Sequence, residues 1–213
     1  MIGVFIPGRL GSQRLPSKLV LPLGQSCLWR IACEKLDALP DEYGRYVLVE
    51  EGPLLDIARE YSHIIPIVRS ERSANIDEPN SKIFENMKDV PEEYLMFLNP
   101  CLPFLKKETI IRALEEFEQS PARSMTSVKP FNNWLYKNGS LITEVNKKSW
   151  STKDIHGYTQ AAHCFHIFEK KLLFNEDRML DEWHDTFQME PEETTDVDTE
   201  NDYRYVKYLW EGD

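Results

Sequence analysis

Residues 6–18, IPGRLGSQRLPSK, gather three cations, Arg9, Arg14 and Lys18, around Gly8, Gly11, Ser12 and two prolines. No carboxylate precedes Glu34, although the whole chain has a formal net charge of −11 at pH 7. Glycine lets a backbone approach a ligand closely and adopt positive φ. Its neighbours' N–H groups can then wrap anionic oxygens, and an arginine can grip two such oxygens at once. The stretch reads as a cradle for a strongly anionic ligand; the plain alternative is a solvated basic loop. It is neither the G-x-x-x-x-G-K-[ST] loop nor the G-x-G-x-x-G turn.

The far end of the chain inverts this charge. Between Glu176 and Asp202 the one Lys or Arg is Arg178. Most of these acids read as a solvated face, but Asp196-Val197-Asp198 is more specific. Alternate residues of an extended segment point the same way. Two hard oxygen donors side by side suit Mg²⁺, which takes one or two carboxylates and fills its shell with phosphate oxygens and water.

These residues must be positioned by regular elements, and the hydrophobic pattern supplies them. Strands are expected at 2–6, 45–50, 64–68 and 93–99. Helices are expected over 27–38, over 52–61 with Pro53 in the first turn, over 80–88, and over 106–119. Strand–helix alternation of this kind predicts an α/β fold, a mostly parallel sheet with helices on both faces. In such sheets ligands bind beyond the carboxyl ends of the strands, which is where the first loop falls. After about residue 122 the pattern turns β-rich: strands at 125–130 and 158–168, and strand-like runs at 134–145 around Asn138-Gly139, a strong hairpin signal. Residues 200–210 read as a closing helix with Thr199 as N-cap and Asp202 three residues later. The chain is read as one domain, 1–213, with 130–150 a hairpin excursion.

Composition excludes several classes. With 41% hydrophobic and 29% charged residues the chain is an ordinary globular one. Its acidity argues against nucleic acid or an anionic membrane as partner. No apolar run approaches the ~20 residues of a membrane span. The four cysteines form no C-x-x-C pair, and the opening turns cationic after its apolar run, the reverse of a signal sequence. A reduced, cytoplasmic setting is therefore expected.

The opening IPGRLGSQRLPSKLVLPLG resembles the signature of the sugar-acid cytidylyltransferases, the CMP-sialic acid (acylneuraminate) and CMP-KDO synthetase family, I-P-A-R-x-G-S-x-R-L-P-x-K followed by P-L-x-G. Pro7, Arg9, Gly11, Ser12, Arg14, Leu15, Pro16 and Lys18 match. Gly8 replaces the usual Ala, Gln13 a frequent Lys, and Leu19 a frequent Asn. The resemblance implies a nucleotide-diphospho-sugar transferase type of Rossmann-like fold. It also implies that this loop holds the triphosphate of CTP, with Arg9, Ser12 and Lys18 as the main contacts. DVDTENDY resembles the family's closing D-I-D-T-x-x-D stretch, which makes Asp196 and Asp198 the Mg²⁺ ligands. FLNPCLPFL (97–105) resembles L-Q-P-T-S-P-L, with Asn99 in place of Gln as a nucleotide or substrate contact. RSERSANIDEPNS (69–81) parallels a loop near the nucleotide through Arg69 and Asp77.

The acceptor's stretch should lie near YTQAAHCFHIF (158–168), where Gln160 and His163 are the candidate substrate contacts. His163 and His166, three apart in a β context, are expected on opposite faces. Cys101 reads as a small buried residue rather than a nucleophile, and His184 and the five tryptophans as structural. The implied reaction transfers CMP from CTP to the anomeric hydroxyl of a sugar acid and releases pyrophosphate, with Arg9, Lys18 and Asp198 as the catalytic groups. A homodimer is implied too, the hairpin being its candidate arm. Two other readings stay open: a sugar-nucleotide glycosyltransferase using the D-x-D, and a relative that binds CTP or a CMP-sugar without turnover.

Overall fold

The computed structural model describes residues 1–70, 78–144, 151–153, 155 and 157–212. Asp77 and residues 145–150 of the expected excursion therefore lie outside the described residues. The elements run β1 (Ile2–Pro7), a 3₁₀ turn (Lys18–Val20), β2 (Pro22–Leu23), β3 (Ser26–Cys27), α1 (Leu28–Asp37), β4 (Gly44–Val49), α2 (Pro53–Ala58) and β5 (Ile65–Val68). Next come α3 (Asn80–Ile83), a 3₁₀ turn (Glu85–Asp89), β6 (Tyr94–Leu98), α4 (Lys107–Glu118) and β7 (Ser124–Pro130). The chain closes with β8 (Tyr136–Lys137), β9 (Ser140–Leu141), β10 (Thr159–Glu169), α5 (Lys170–Glu176), β11 (Asp185–Gln188), a 3₁₀ turn (Pro191–Thr194) and α6 (Glu200–Glu211).

Seven strands form the central sheet in the order β11-β7-β10-β6-β1-β4-β5. All run the same way except β10, which is antiparallel to both β6 and β7. The expected mostly parallel α/β sheet is what the chain forms. From β1 the chain moves outward to β4 and β5, then returns to place β6 on the other side of β1. This reversal opens a crevice beyond the carboxyl end of β1, the general ligand position in open α/β sheets.

Burial explains why β1 sits centrally. Val4 and Ile6 enter one apolar cluster with Trp29 of α1, Ile110 and Leu114 of α4, and Val206 of α6. Phe5 points to the other face, against Leu48, Phe84, Leu95, Phe168 and Leu172. A strand buried on both faces reads as an unbroken apolar run, as IGVFI does. The α4 helix buries Ile110, Ala113, Leu114 and Phe117, the stripe that its periodicity demands.

Several expectations need correction. The helix expected at 80–88 breaks into α3 and a 3₁₀ turn. Phe84 and Met87, three residues apart, both enter the core, and three residues per turn puts such a pair on one side. The helix at 52–61 is shorter, Pro53–Ala58, with Pro53 in its first turn. Helix α5 and strand β11 have no counterpart in the sequence reading; each is short and buries at most two residues. Trp183, read as structural, is 85% exposed. The hairpin signal holds locally: Asn138 and Gly139 have φ of 51° and 80°, the positive pair that a tight two-residue turn requires.

Candidate active site

The loop after β1 is shaped by its own apolar residues. Leu15 and Leu19 are buried in the larger cluster, while Ser12 N and Ser17 N both donate to Leu10 O, at 2.9 and 3.1 Å. Ser17 takes a left-handed conformation and starts the 3₁₀ turn that carries Lys18. The hydrophobic anchors thus leave the polar members of the motif at the rim of a cavity of about 470 Å³.

Pro7, Arg9, Ser12, Arg14, Lys18, Arg69 and Asn99 all line this cavity. Arg69, at the end of β5, is buried and donates from Nη2 to Gly8 O at 2.8 Å. Gly11 is exposed with open space around it. Gly8 has a different task. A Cβ there would lie 2.7 Å from two ring carbons of Trp29. Trp29 is fully buried and donates from Nε1 to Leu54 O at 2.9 Å. The alanine usual at this place in the motif has no room above this indole, which accounts for the glycine.

The acidic segment arrives from the far end of the chain. Val197 is buried, and its N–H donates to Cys101 O at 3.0 Å, which docks the segment against the loop after β6. Asp196 and Asp198 flank it. Asp198 Oδ1 accepts from Lys18 Nζ at 2.9 Å and pairs with Arg14 Nη2 at 2.9 Å. Lys18 also donates to Val197 O at 2.9 Å. Asn99 joins the same cluster: its Nδ2 donates to Asp196 Oδ2 and to His163 O, both at 3.2 Å, and its Oδ1 accepts from Cys101 N. The expected capping box is present, with Thr199 Oγ1 accepting from Asp202 N. Asp202 Oδ2 also accepts from the backbone N–H groups of Asp198 and Thr199, at 3.2 and 2.7 Å. The helix cap therefore fixes where the Asp198 carboxylate stands.

The electrostatics follow from this packing. Burial, reinforced by the charge of Asp198, holds the Asp196 carboxyl above its ordinary value. Burial opposes the charge of Lys18, but Cys101 and Asp198 outweigh it and hold the ammonium above its ordinary value. Burial pushes the Cys101 thiol up to about 11, consistent with a packed side chain rather than a nucleophile.

Two carboxylates mark what this cluster can hold. Asp196 Oδ1 is buried and has no hydrogen-bond partner among the described residues, an arrangement that suits a cation. No group of three His, Cys, Asp or Glu side chains converges as a metal site among the described residues. A divalent cation on Asp196 and Asp198 would take its remaining ligands from phosphate and water, the habit of Mg²⁺.

The β10 side departs most from the sequence reading. Gln160 is exposed and pairs with Lys129 of β7. Only Phe165–Glu169 of β10 pair with β6, so Gln160 lies past the end of β6 and does not line the cavity. His163 reaches the site through its carbonyl, on Asn99. A break in register between Ala161 and His166, with His163 at φ 53°, marks a bulge. The bulge brings the rings of His163 and His166 to 5.8 Å, so the expectation of opposite faces is overturned: an irregular residue count reverses the alternation.

His166 stacks on Phe97 at 6.0 Å and meets Thr126 Oγ1 through Nδ1 at 2.8 Å. Phe97, with Ile83 and Phe84, forms an apolar wall of the cavity that the sequence reading missed. No local motif marks it, because α3 and β6 meet only through folding.

Burial, then the neighbouring His163 and His184, pull His166 down to about 4. A base whose folded value lies below its unfolded 6.5 stabilises the protein fully above pH 6.5 and loses that contribution as pH falls through about 4. The expected loss is up to about 3 kcal/mol. Denaturant midpoints measured from about pH 7 to about pH 4 should fall more steeply for the native protein than for His166→Gln; parallel curves would remove His166 from this account.

A sequence model of the family described as Cytidylyltransferase matches residues 4–211. No curated protein sequence matches the chain. Among solved structures, the chain is similar to a CMP:2-keto-3-deoxy-manno-octonic acid synthetase complexed with CTP, with TM-score 0.69, 15% identity, and coverage of 98% of this chain and 97% of that one. It is similar to a 4-diphosphocytidyl-2C-methyl-D-erythritol synthase from Anaerococcus prevotii DSM 20548, with TM-score 0.68, 12% identity, and coverage of 99% and 96%. A cytidylyltransferase from Leptospira borgpetersenii serovar Hardjo-bovis (strain JB197) gives TM-score 0.64 at 16% identity, over 97% of this chain and 84% of that one. At these identities the likeness is one of fold.

Proposed function

We propose that this chain, which belongs to the cytidylyltransferase family, transfers CMP from CTP to the anomeric hydroxyl of a sugar acid. One observation carries the reading. Lys18 and Arg14 from the first loop meet Asp198 across some 180 residues of chain, beside the half-buried Asp196. A cationic cradle and a pair of hard oxygen donors then stand together at the sheet's crevice. The sugar-acid part rests on the opening and closing motifs together.

In this reading the hydroxyl oxygen attacks the α-phosphorus of CTP. The new P–O bond forms as the bond to the bridging oxygen breaks, and pyrophosphate leaves with that electron pair. The hydroxyl proton passes to water. Arg9, Ser12 and Lys18 hold the β- and γ-phosphates and stabilise the charge gathering on the leaving group. Pro7, Gly8, Gly11 and Arg14 shape and extend that cradle, and Arg69 braces it from below through Gly8 O. Asn99 orients Asp196 and, through the His163 carbonyl, the wall where the acceptor would sit. Asp77 completes the nucleotide side by resemblance alone. Asp196 and Asp198 would hold Mg²⁺, which when bound supplies positive charge to the phosphate oxygens and lowers the pKa of the attacking hydroxyl. The hairpin region at 134–145 is the candidate arm of a homodimer.

Pyrophosphate release from CTP and Mg²⁺ is the test, with sialic, legionaminic and pseudaminic acids, KDO and a polyol phosphate as acceptors. Release with one sugar acid is expected, and Lys18→Ala should slow it about 10²-fold. Release with the polyol phosphate alone, or glycosyl transfer from a supplied sugar nucleotide, would overturn the sugar-acid reading. CTP binding with no product from any acceptor would point to a binding protein instead.

A further inference from the structure

We propose that Asp198 is a charge latch: it holds Lys18 and Arg14 away from the triphosphate until a divalent cation takes its carboxylate, so that cation and nucleotide bind cooperatively. The inference rests on the nucleotide site proposed above.

One oxygen, Asp198 Oδ1, serves both cations at 2.9 Å. The Lys18 side chain is only 15% exposed, against 66% for Arg14. Shielded pairs are screened least, so the Lys18 arm is the stronger. Lys18 is also tied to Val197 O at 2.9 Å, which leaves few of its three donors for a ligand.

The carboxylate cannot simply drift away with its partners. Its backbone N–H is held by Asp202 Oδ2, and Val197 next to it is buried and bonded to Cys101 O. The loop has its own anchors in Leu15 and Leu19. Opening the latch therefore needs side-chain rotation only, with both backbones left in place.

Asp198 occupies two of the cations that line the cavity, Lys18 and Arg14, while Arg9 and Arg69 line it as well. A triphosphate arriving alone meets a cradle with two of its cations already engaged, and a cation arriving alone meets a carboxylate already paired. Together each supplies what the other displaces. Coupling of this kind is reciprocal, and factors of about 5 to 150 are usual.

The test is calorimetric binding of CTP to the intact protein, in EDTA and in Mg²⁺, for the native chain, Asp198→Asn and Asp196→Asn. The native chain should bind CTP about tenfold more weakly in EDTA than in Mg²⁺. Asp198→Asn should bind metal-free CTP about tenfold more tightly than the native chain. Asp196→Asn removes a nearby carboxylate that accepts from Asn99 and pairs with neither cation, so its gain in metal-free affinity should be clearly smaller than that of Asp198→Asn. By reciprocity, Lys18→Met should bind Mn²⁺ alone, followed by its electron spin resonance signal, more tightly than the native chain does. Equal metal-free affinities for the native chain and Asp198→Asn, or an equal gain in both Asp variants, would overturn the latch while leaving the nucleotide site intact. No CTP binding by any protein in either condition would overturn the nucleotide site and the latch with it.

Discussion

Asp198→Asn is expected to lower turnover about 10³-fold while the protein stays folded. The substitution keeps the shape of the side chain and removes its charge. The backbone around it is fixed by other groups. Val197 is buried beside it, the backbone N–H of residue 198 is held by Asp202, and the capping box of α6 uses Thr199 and Asp202. Of the two ion pairs that Asp198 makes, the exposed Arg14 arm adds little to stability, and Lys18 keeps its bond to Val197 O when the charge is lost. The chemistry, in contrast, loses one of the two hard oxygen donors beside the phosphates. Asp196→Asn should act in the same direction on turnover and should raise stability slightly, since the half-buried carboxylate is held there against its desolvation. Steady-state pyrophosphate release and thermal unfolding of the same preparations separate the two effects. Turnover within about threefold of native for Asp198→Asn would remove this residue from the chemistry, because a lost transition-state contact costs far more than that.

Trp29→Ala is expected to cost about 3–5 kcal/mol, a large part of the ~5–15 kcal/mol that holds a typical domain together. The indole is fully buried in the larger apolar cluster, and its truncation also strands Leu54 O, which accepts from Nε1 at 2.9 Å. Its ring is the floor beneath Gly8. The consequence runs in both directions. Gly8→Ala should destabilise by about 1–3 kcal/mol through overpacking, because the new methyl would meet two ring carbons at 2.7 Å. In a Trp29→Leu background the same Gly8→Ala change should cost much less, and the two substitutions should fail to add. Denaturant midpoints for the four proteins of this cycle measure the coupling. Strict additivity would mean that the glycine has another cause. Since Gly8 O is also the acceptor for Arg69, the KM for CTP should rise wherever the floor is lost.

The parts of the site that could be read from the chain are those written in neighbouring residues. Glycines, prolines and cations within one short loop specify a phosphate cradle because the torsional freedom and the charge are local. D-x-D specifies a carboxylate pair for the same reason, and Thr199 with Asp202 specifies a helix start. The buried run IGVFI and the 106–119 periodicity were legible because hydrophobic spacing is set by the repeat of each element. What could not be read was everything that depends on distant segments meeting. The bulge in β10 reverses the side to which His166 points, and no count of residues from His163 could foresee it. The wall of Ile83, Phe84 and Phe97 exists because the end of α3 and the residue after it meet β6, where the rings of Phe84 and Phe97 touch. Gly8 is glycine because of Trp29, 21 residues later, an indole that meets it only once α1 has packed against β1. Lys18 and Asp198 become partners because the chain returns across β1 to form β6, and the loop after β6 then docks the acidic segment. Local chemistry names the groups, and strand order and close packing bring them within reach of one another.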